Sequence, residues 1–253
     1  MANGHILLRF VCFTIALCIF TGCSALRPVT SPVQDKEAFF LANQAKSFNQ
    51  DILASKGIAR VRMVSKNKVD TFKIAWAASF PNKIRLTLLS SGHPIETILS
   101  TGEKITFISH TGGHAKHSFT SKDPDMKRYL KVPIKMSEMI LVLLGRFPVK
   151  NFDDAYFPSL DTYPLPIALK EKWKGTQYLF LDDKGKIKKI QSLDYAGKFL
   201  YEMTIFKYKS YEGRNNVPAK ILIKDTDKRN LSFEIINFKA NPSIKESVFQ
   251  LTE

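Results

Sequence analysis

Three stretches decide the fold: Ile58-Ala59-Arg60-Val61-Arg62-Met63, Phe72-Lys73-Ile74-Ala75-Trp76-Ala77 and Ile84-Arg85-Leu86-Thr87-Leu88. In each, an apolar side chain recurs at every second position. That period puts one row of side chains on each face of a strand, one greasy and one mostly polar. Lys66-Asn67-Lys68 and Pro81-Asn82 separate the stretches and have turn chemistry, so the strands pair antiparallel.

Working outward, further strands are predicted near 94–100, 104–109 and 115–120, divided by Thr101-Gly102 and Thr111-Gly112-Gly113. Alternation resumes at Thr176, where Tyr178 and Phe180 share a face and Asp182-Asp183-Lys184-Gly185 makes a hairpin turn. It continues near 187–194, 199–208, 218–225 and 230–238, with apolar faces marked by Phe206 and Tyr208, Ile221 and Ile223, and Phe233 and Ile235. The total is about eleven strands, six before and five after a break. The sequence contains no repeat and no low-complexity tract.

The break has two parts. Ser137 to Leu144 is apolar nearly all round and ends at Gly145, which predicts a helix covered on most sides, with Met139, Ile140, Leu143 and Leu144 as lid residues. Residues 146–166 carry four prolines among Phe147, Phe152, Tyr156, Phe157 and Tyr163, which predicts a long irregular lid segment. Before the first strand, Leu41, Ala45, Phe48 and Ile52 are spaced 4, 3, 4, predicting a helix over about 36–55 stopped by Gly57. A sheet of so many strands must curl, and its apolar face needs a cover. The predicted class is mainly β (α+β): a half-open antiparallel barrel of about eleven strands closed by a helical lid.

The chain of 253 residues carries 38 Lys+Arg against 23 Asp+Glu, a net charge of +15. Such a balance favours anionic partners. No apolar run is long enough for a polytopic membrane protein. The three cysteines are Cys12, Cys18 and Cys23, so 36–253 can hold neither a disulfide nor a thiolate metal site. Residues 1–22 have one cation, Arg9, then an apolar run from Phe10 to Phe20, the length of a signal-peptide core. Phe20-Thr21-Gly22-Cys23 resembles a lipobox, which makes Cys23 the predicted lipidation site, residues 23–35 a lipidated tether and 36–253 the folded domain. Removing 1–22 takes away one cation and no acid, so +14 remains on an exported domain, where nucleic acid is not an expected partner.

From here the sequence resembles the LolB/LolA lipoprotein-carrier superfamily. The resemblance rests on Cys23, Gly57-Ile58-Ala59-Arg60-Val61-Arg62, Trp76-Ala77, Asn82-Lys83-Ile84-Arg85-Leu86 and Leu88 to Ile95. It continues in Leu143-Leu144-Gly145-Arg146-Phe147-Pro148 and in Phe249-Gln250-Leu251, which looks like that family's closing strand. It implies an eleven-stranded half-barrel that binds lipoprotein acyl chains without catalysis or cofactor. It also implies a membrane or cargo loop at His93, Pro94 and Ile95, a LolA-like periplasmic carrier as partner, a monomer, and a periplasm-facing outer-membrane location that Ser24 permits. Phe72, Trp76, Leu86, Phe107, Tyr178, Phe180, Phe206 and Phe233 are the candidate cavity lining, although periodicity alone does not separate a hollow face from a filled one. A structural lipoprotein using the fold as a scaffold is the alternative.

Competing chemistry is sparse. His110, His114 and His117 could ligate zinc, but they fall on a Gly-Gly hairpin beside Lys116 and lack a His-Glu-x-x-His helix, so a solvated hairpin is expected. Asp153-Asp154 and Asp182-Asp183 are turn carboxylates first. Lys184, Lys186, Lys188 and Lys189 form a basic patch that could face anionic lipid.

Overall fold

The computed structural model describes residues 32–65 and 68–250. Residues 1–22, Cys23, the Lys66-Asn67 turn and Leu251 lie outside the described residues. Helix α1 (Pro32–Lys46) is followed by six strands: β1 (Ala54–Ser65), β2 (Lys68–Ser79), β3 (Lys83–Ser90), β4 (His93–Thr101), β5 (Lys104–Ser109) and β6 (His117–Thr120). Two lid helices come next, α2 (Lys127–Leu130) and α3 (Met136–Leu143). Seven strands complete the chain: β7 (Asp154–Tyr156), β8 (Leu165–Glu171), β9 (Gly175–Leu181), β10 (Ile187–Leu193), β11 (Phe199–Tyr211), β12 (Arg214–Asp225) and β13 (Asn230–Ala240).

All thirteen strands form one antiparallel sheet in the order β6-β5-β4-β3-β2-β1-β13-β12-β11-β10-β9-β8-β7. Two meanders are joined where β1 pairs with β13, Val61 opposite Phe233. The edges β6 and β7 are short, which limits the exposed backbone that another strand could pair with. The segment between them carries α2 and α3 across the concave side, so the barrel is half open with a helical lid.

The first six and last five strands lie where alternation predicts them. The two additional strands, β7 and β8, come from the segment expected to be irregular. Its buried run Pro166-Ile167-Ala168-Leu169 is continuously apolar, so it shows no period of two, and Pro166 sits opposite Phe180 inside the ladder. Helix α1 already includes 32–35, part of the expected tether, and ends at Lys46, nine residues before the predicted end at 55. Turns follow, with Asn49 left-handed at φ 55° and its side chain donating to the Gly145 carbonyl at 2.8 Å. Gly57 is no stop; it lies inside β1, where the Trp76 ring rests on its backbone. The closing segment Glu246–Phe249 is a 3-10 turn rather than a strand, and Phe249 packs on Ala77 and Leu99 over the convex face.

Helix α3 begins with a capping box in which the Lys135 N–H donates to the Glu138 carboxylate at 2.9 Å. It ends at Gly145, φ 71°, where Gly145 N–H and Arg146 N–H return to Val142 and Leu141 carbonyls. Five apolar side chains of α3, Met136, Met139, Ile140, Val142 and Leu143, are buried. Burying each such side chain stabilises by about 1.5–3 kcal/mol, so apolar area contributes more to docking α3 than its few polar contacts do.

Candidate functional site

Two openings lie against the lid: an apolar one over β1–β4, and beside the second meander a polar-rimmed one of about 550 Å³ bordered by Glu138, Leu141, Lys150, Lys174 and Tyr201. The apolar cavity, of about 210 Å³, lies between the first meander and the lid. Its floor is Val61 and Met63 from β1, Phe72 and Ile74 from β2, and Phe233 from β13. Ile84, Leu86, Leu88 and Ile98 from β3 and β4 form one wall, and Met126, Tyr129, Leu130, Met136 and Met139 from the lid form the roof. The single charged lining residue is Glu96. Four of the chain's six methionines are in this list; unbranched thioether side chains re-pack easily around occupants of different shape.

The mouth is legible from burial. Val61, Ile74, Leu86 and Ile98 are buried, whereas Met63, Phe72, Leu88 and Glu96, nearer the strand ends at Ser65 and Ser90, are half-buried. The cavity therefore opens toward the rim that carries the β3–β4 turn. Glu96 at this mouth is 3.6 Å from His114 Nε2. His117 stacks on Phe107 at 4.9 Å, and Phe107 stacks on Tyr129 at 4.1 Å, which ties the His hairpin to the cavity roof.

Phe72, Leu86, Phe233 and Met139 meet at the cavity. Trp76 faces inward next to it but is committed to structure. Its indole N–H donates to Ser55 Oγ at 3.0 Å, and Ser55 Oγ donates to the Leu143 carbonyl at 2.8 Å, pinning the end of α3 to the sheet. Phe107, Ile140, Leu143 and Leu144 are buried core rather than lining.

Tyr178, Phe180 and Phe206, expected inside, lie on the convex face. On β9 both faces are apolar, and the row that enters the core is Gln177, Leu179 and Leu181. Phe180 instead lies under the Lys189 ammonium, 4.0 Å from its ring centre. On β11 the inward row is Tyr201, Met203 and Ile205, which leaves Phe206 outward at 58 % exposure; register shifts after Ile205 then invert the parity and turn Tyr208 inward. Alternation does not say which of two apolar rows faces in, and it carries no sign of the bulge that puts Phe206 and Tyr208 on opposite faces.

His93 and Pro94 are exposed and Ile95 is half-buried, all three inside β4 beyond the tight Ser91-Gly92 turn, so no long loop projects here. The four basic-patch lysines sit on the β9–β10 hairpin at the opposite rim. Lys186 donates to Asn216, Lys188 is 3.3 Å from Asp182 and Lys189 is 3.8 Å from Glu202. Burial pushes the Asp182 carboxyl up, but N–H donation from Lys186 and Lys184 and the Lys188 charge outweigh it and hold the group below its usual range. Asp182 is a hairpin cap. Among the described residues no group of three His, Cys, Asp or Glu is arranged to hold a metal. His110 Nε2 is 2.9 Å from Thr97 Oγ1, His114 faces Glu96 and His117 is stacked, so the three imidazoles serve separate contacts.

Beyond the candidates, the lining includes Met63, Leu88, Glu96, Met126, Tyr129 and Met136. Met126, Tyr129 and Leu130 have the i, i+3, i+4 spacing of one helix face, a signal present in the sequence. On the far side of α3, buried Glu138 accepts from Tyr201 Oη at 2.9 Å. Burial raises the Glu138 carboxyl above its usual range despite the Lys135 and Tyr201 donors. Burial also lifts the Tyr201 phenol well above its ordinary value.

No protein-family model matches this sequence, and no curated protein matches it. The architecture has clear counterparts. A LolA superfamily protein from Nitrosomonas europaea superposes with a TM-score of 0.55 at 10% identity, over 85% of this chain and 97% of that one. A DUF1329 family protein from Desulfovibrio piger gives 0.54 at 8% identity, over 86% and 97%. A domain described as an outer membrane lipoprotein-sorting protein from Vibrio parahaemolyticus gives 0.50 at 12% identity, over 85% and 97%. The class defined by the fold is thus the LolA-like half-open barrel with a helical lid.

Proposed function

We propose that the protein is an envelope lipoprotein that takes acyl chains of lipoproteins or lipids into the cavity under α2 and α3, without catalysis. The observation that carries this reading is the lining itself: fourteen apolar side chains and one carboxylate at the mouth. A lipid crossing water must hide its chains, and at about 0.8 kcal/mol per CH₂ a long chain exposes on the order of 10 kcal/mol. A dry, methionine-rich cavity offsets that with no polar chemistry. The lipoprotein-sorting name of the Vibrio neighbour agrees with an envelope role.

In the same reading Cys23 is lipidated and holds the domain at the periplasmic face of the outer membrane. A LolA-like carrier hands over cargo, and anionic lipid attracts the net positive chain. The buried side chains packed along β9–β11, Leu179, Leu181, Ile190, Met203 and Ile205, favour a second reading, a scaffold lipoprotein with the same fold. A fluorescent long-chain fatty acid separates them. Saturable binding that Leu86→Glu abolishes supports uptake, because an unpaired carboxylate in an apolar site costs several kcal/mol or forces its own protonation. Phe72→Glu at the half-buried mouth should weaken binding with less effect on folding. A folded wild-type protein that binds no probe supports the scaffold.

A further inference from the structure

In an antiparallel meander every second turn lies at the same end. The β8–β9 turn (residues 172–174) and the β10–β11 turn (194–198) therefore share the rim that carries the β3–β4 turn, the rim toward which the cavity opens. The two turns are neighbours: a Cβ added to Gly175 would meet the carbonyl of Leu193 and the backbone of Asp194. Each presents one aromatic side chain to solvent, Trp173 at 86 % exposure and Tyr195 at 82 %, the two most exposed large apolar residues among those described. Nothing in the core accounts for either.

Trp173 also has φ 67°, in the left-handed region where bulky residues are rare and glycine is preferred. Folding thus tolerates backbone strain to place an indole in water. Cations flank both rings. Lys172 and Lys174 bracket Trp173, with the Lys172 ammonium 6.0 Å from the indole and the Lys174 ammonium paired with Glu171 at 2.6 Å, and Lys198 closes the Tyr195 turn. The acid of that turn, Asp194, is engaged by the N–H groups of Ala196 and Lys198. Exposed Trp and Tyr with lysines beside them match the chemistry of a bilayer's headgroup layer, where an amphipathic ring keeps its polar edge wet and its body in the acyl boundary.

We propose that these two turns are the bilayer-facing foot of the molecule: Trp173 and Tyr195 lie in the headgroup layer of an anionic membrane, with the cavity mouth turned toward the same layer. The proposal deepens the acyl-uptake reading and rests on it only for the direction in which cargo moves. It is tested with the full chain reconstituted in vesicles of mixed phosphatidylcholine and phosphatidylglycerol, with and without bromine on the acyl chains. Bromine should quench wild-type tryptophan emission, and Trp173→Ser should remove about half or more of that quenching, since the remaining Trp76 is buried. Tyr195→Ser should reduce the quenching of Trp173. Quenching that is absent, or equal in wild type and Trp173→Ser, overturns the proposal and leaves the turns for a protein partner. Acyl-probe binding is measured on the same samples: Trp173→Ser with Tyr195→Ser should retain it. Lost probe binding with intact quenching would sink the uptake reading alone.

Discussion

Gly57 and Trp76 show how one residue constrains the site's position. The indole lies so close to Gly57 that an added Cβ would overlap the ring and the Asn237 carbonyl. Gly57→Ala must push the ring off Ser55, and with it the hydrogen-bond path to Leu143 at the end of α3. Overpacking of this kind costs about 1–3 kcal/mol. The urea midpoint should fall by a corresponding amount, with a changed Trp76 emission as the local signature; an unchanged midpoint would show that the ring has room to yield. The glycine is visible in the sequence, but its role is not. Placed after an amphipathic run it resembles a helix stop, and only the cross-strand pairing of β1 with β2 brings Trp76 over it.

Helix α3 is the element on which lid and cavity depend, and Glu138 ties it to β11 through Tyr201. Because burial raises its carboxyl, folded Glu138 holds its proton to higher pH than the unfolded chain, where it titrates near 4.5. The folded state then binds more protons between the two pKa values. Stability from this group is complete below about pH 4.5 and declines as pH rises toward the raised value. Glutamine keeps one acceptor oxygen, for the Lys135 N–H, offers its NH₂ to the Tyr201 hydroxyl oxygen, and never ionises. The stability of Glu138→Gln relative to wild type should therefore grow from pH 4 to pH 8, as read from melting temperatures across that range. A difference that shrinks with pH would mean the ionised carboxylate is the stabilised form. The β9–β10 hairpin gives the converse lesson. Its lysines form a charge run in sequence, yet Lys188 and Lys189 have acidic neighbours in space. Lys188→Gln with Lys189→Gln should change binding to anionic vesicles by no more than about twofold, as expected for charges already paired at a surface.

At the scale of the whole molecule, the proposed function joins charge to an anchor. Cleavage before Cys23 would leave a net charge of +14, so association with anionic vesicles should weaken as salt shortens the screening length to about 8–10 Å near physiological strength. Co-sedimentation that is equal on neutral and anionic lipid at low and high salt would remove the electrostatic contribution. Cys23→Ala should release the protein from membranes or leave its leader uncleaved. A variant that is cleaved normally yet resists a salt wash would show that lipid is not the anchor.

Period-two alternation by itself determined that the chain forms antiparallel strands, and the all-round apolar run at Ser137–Leu144 determined that a helix must cover them. Both are local properties: the side-chain spacing of a strand or helix is set by its own backbone. Three things were decided only by tertiary structure. The Pro166–Leu169 run of β8 is buried on both faces, so its sequence shows no alternation to detect. The sense of each face, and the parity change on β11 that turns Tyr208 inward while Phe206 faces out, follow from register with neighbouring strands. The apolar cavity exists because the lid's side chains occupy less space than the first meander leaves beneath them. That difference is one of volume between elements far apart in sequence, and no single element's pattern contains it.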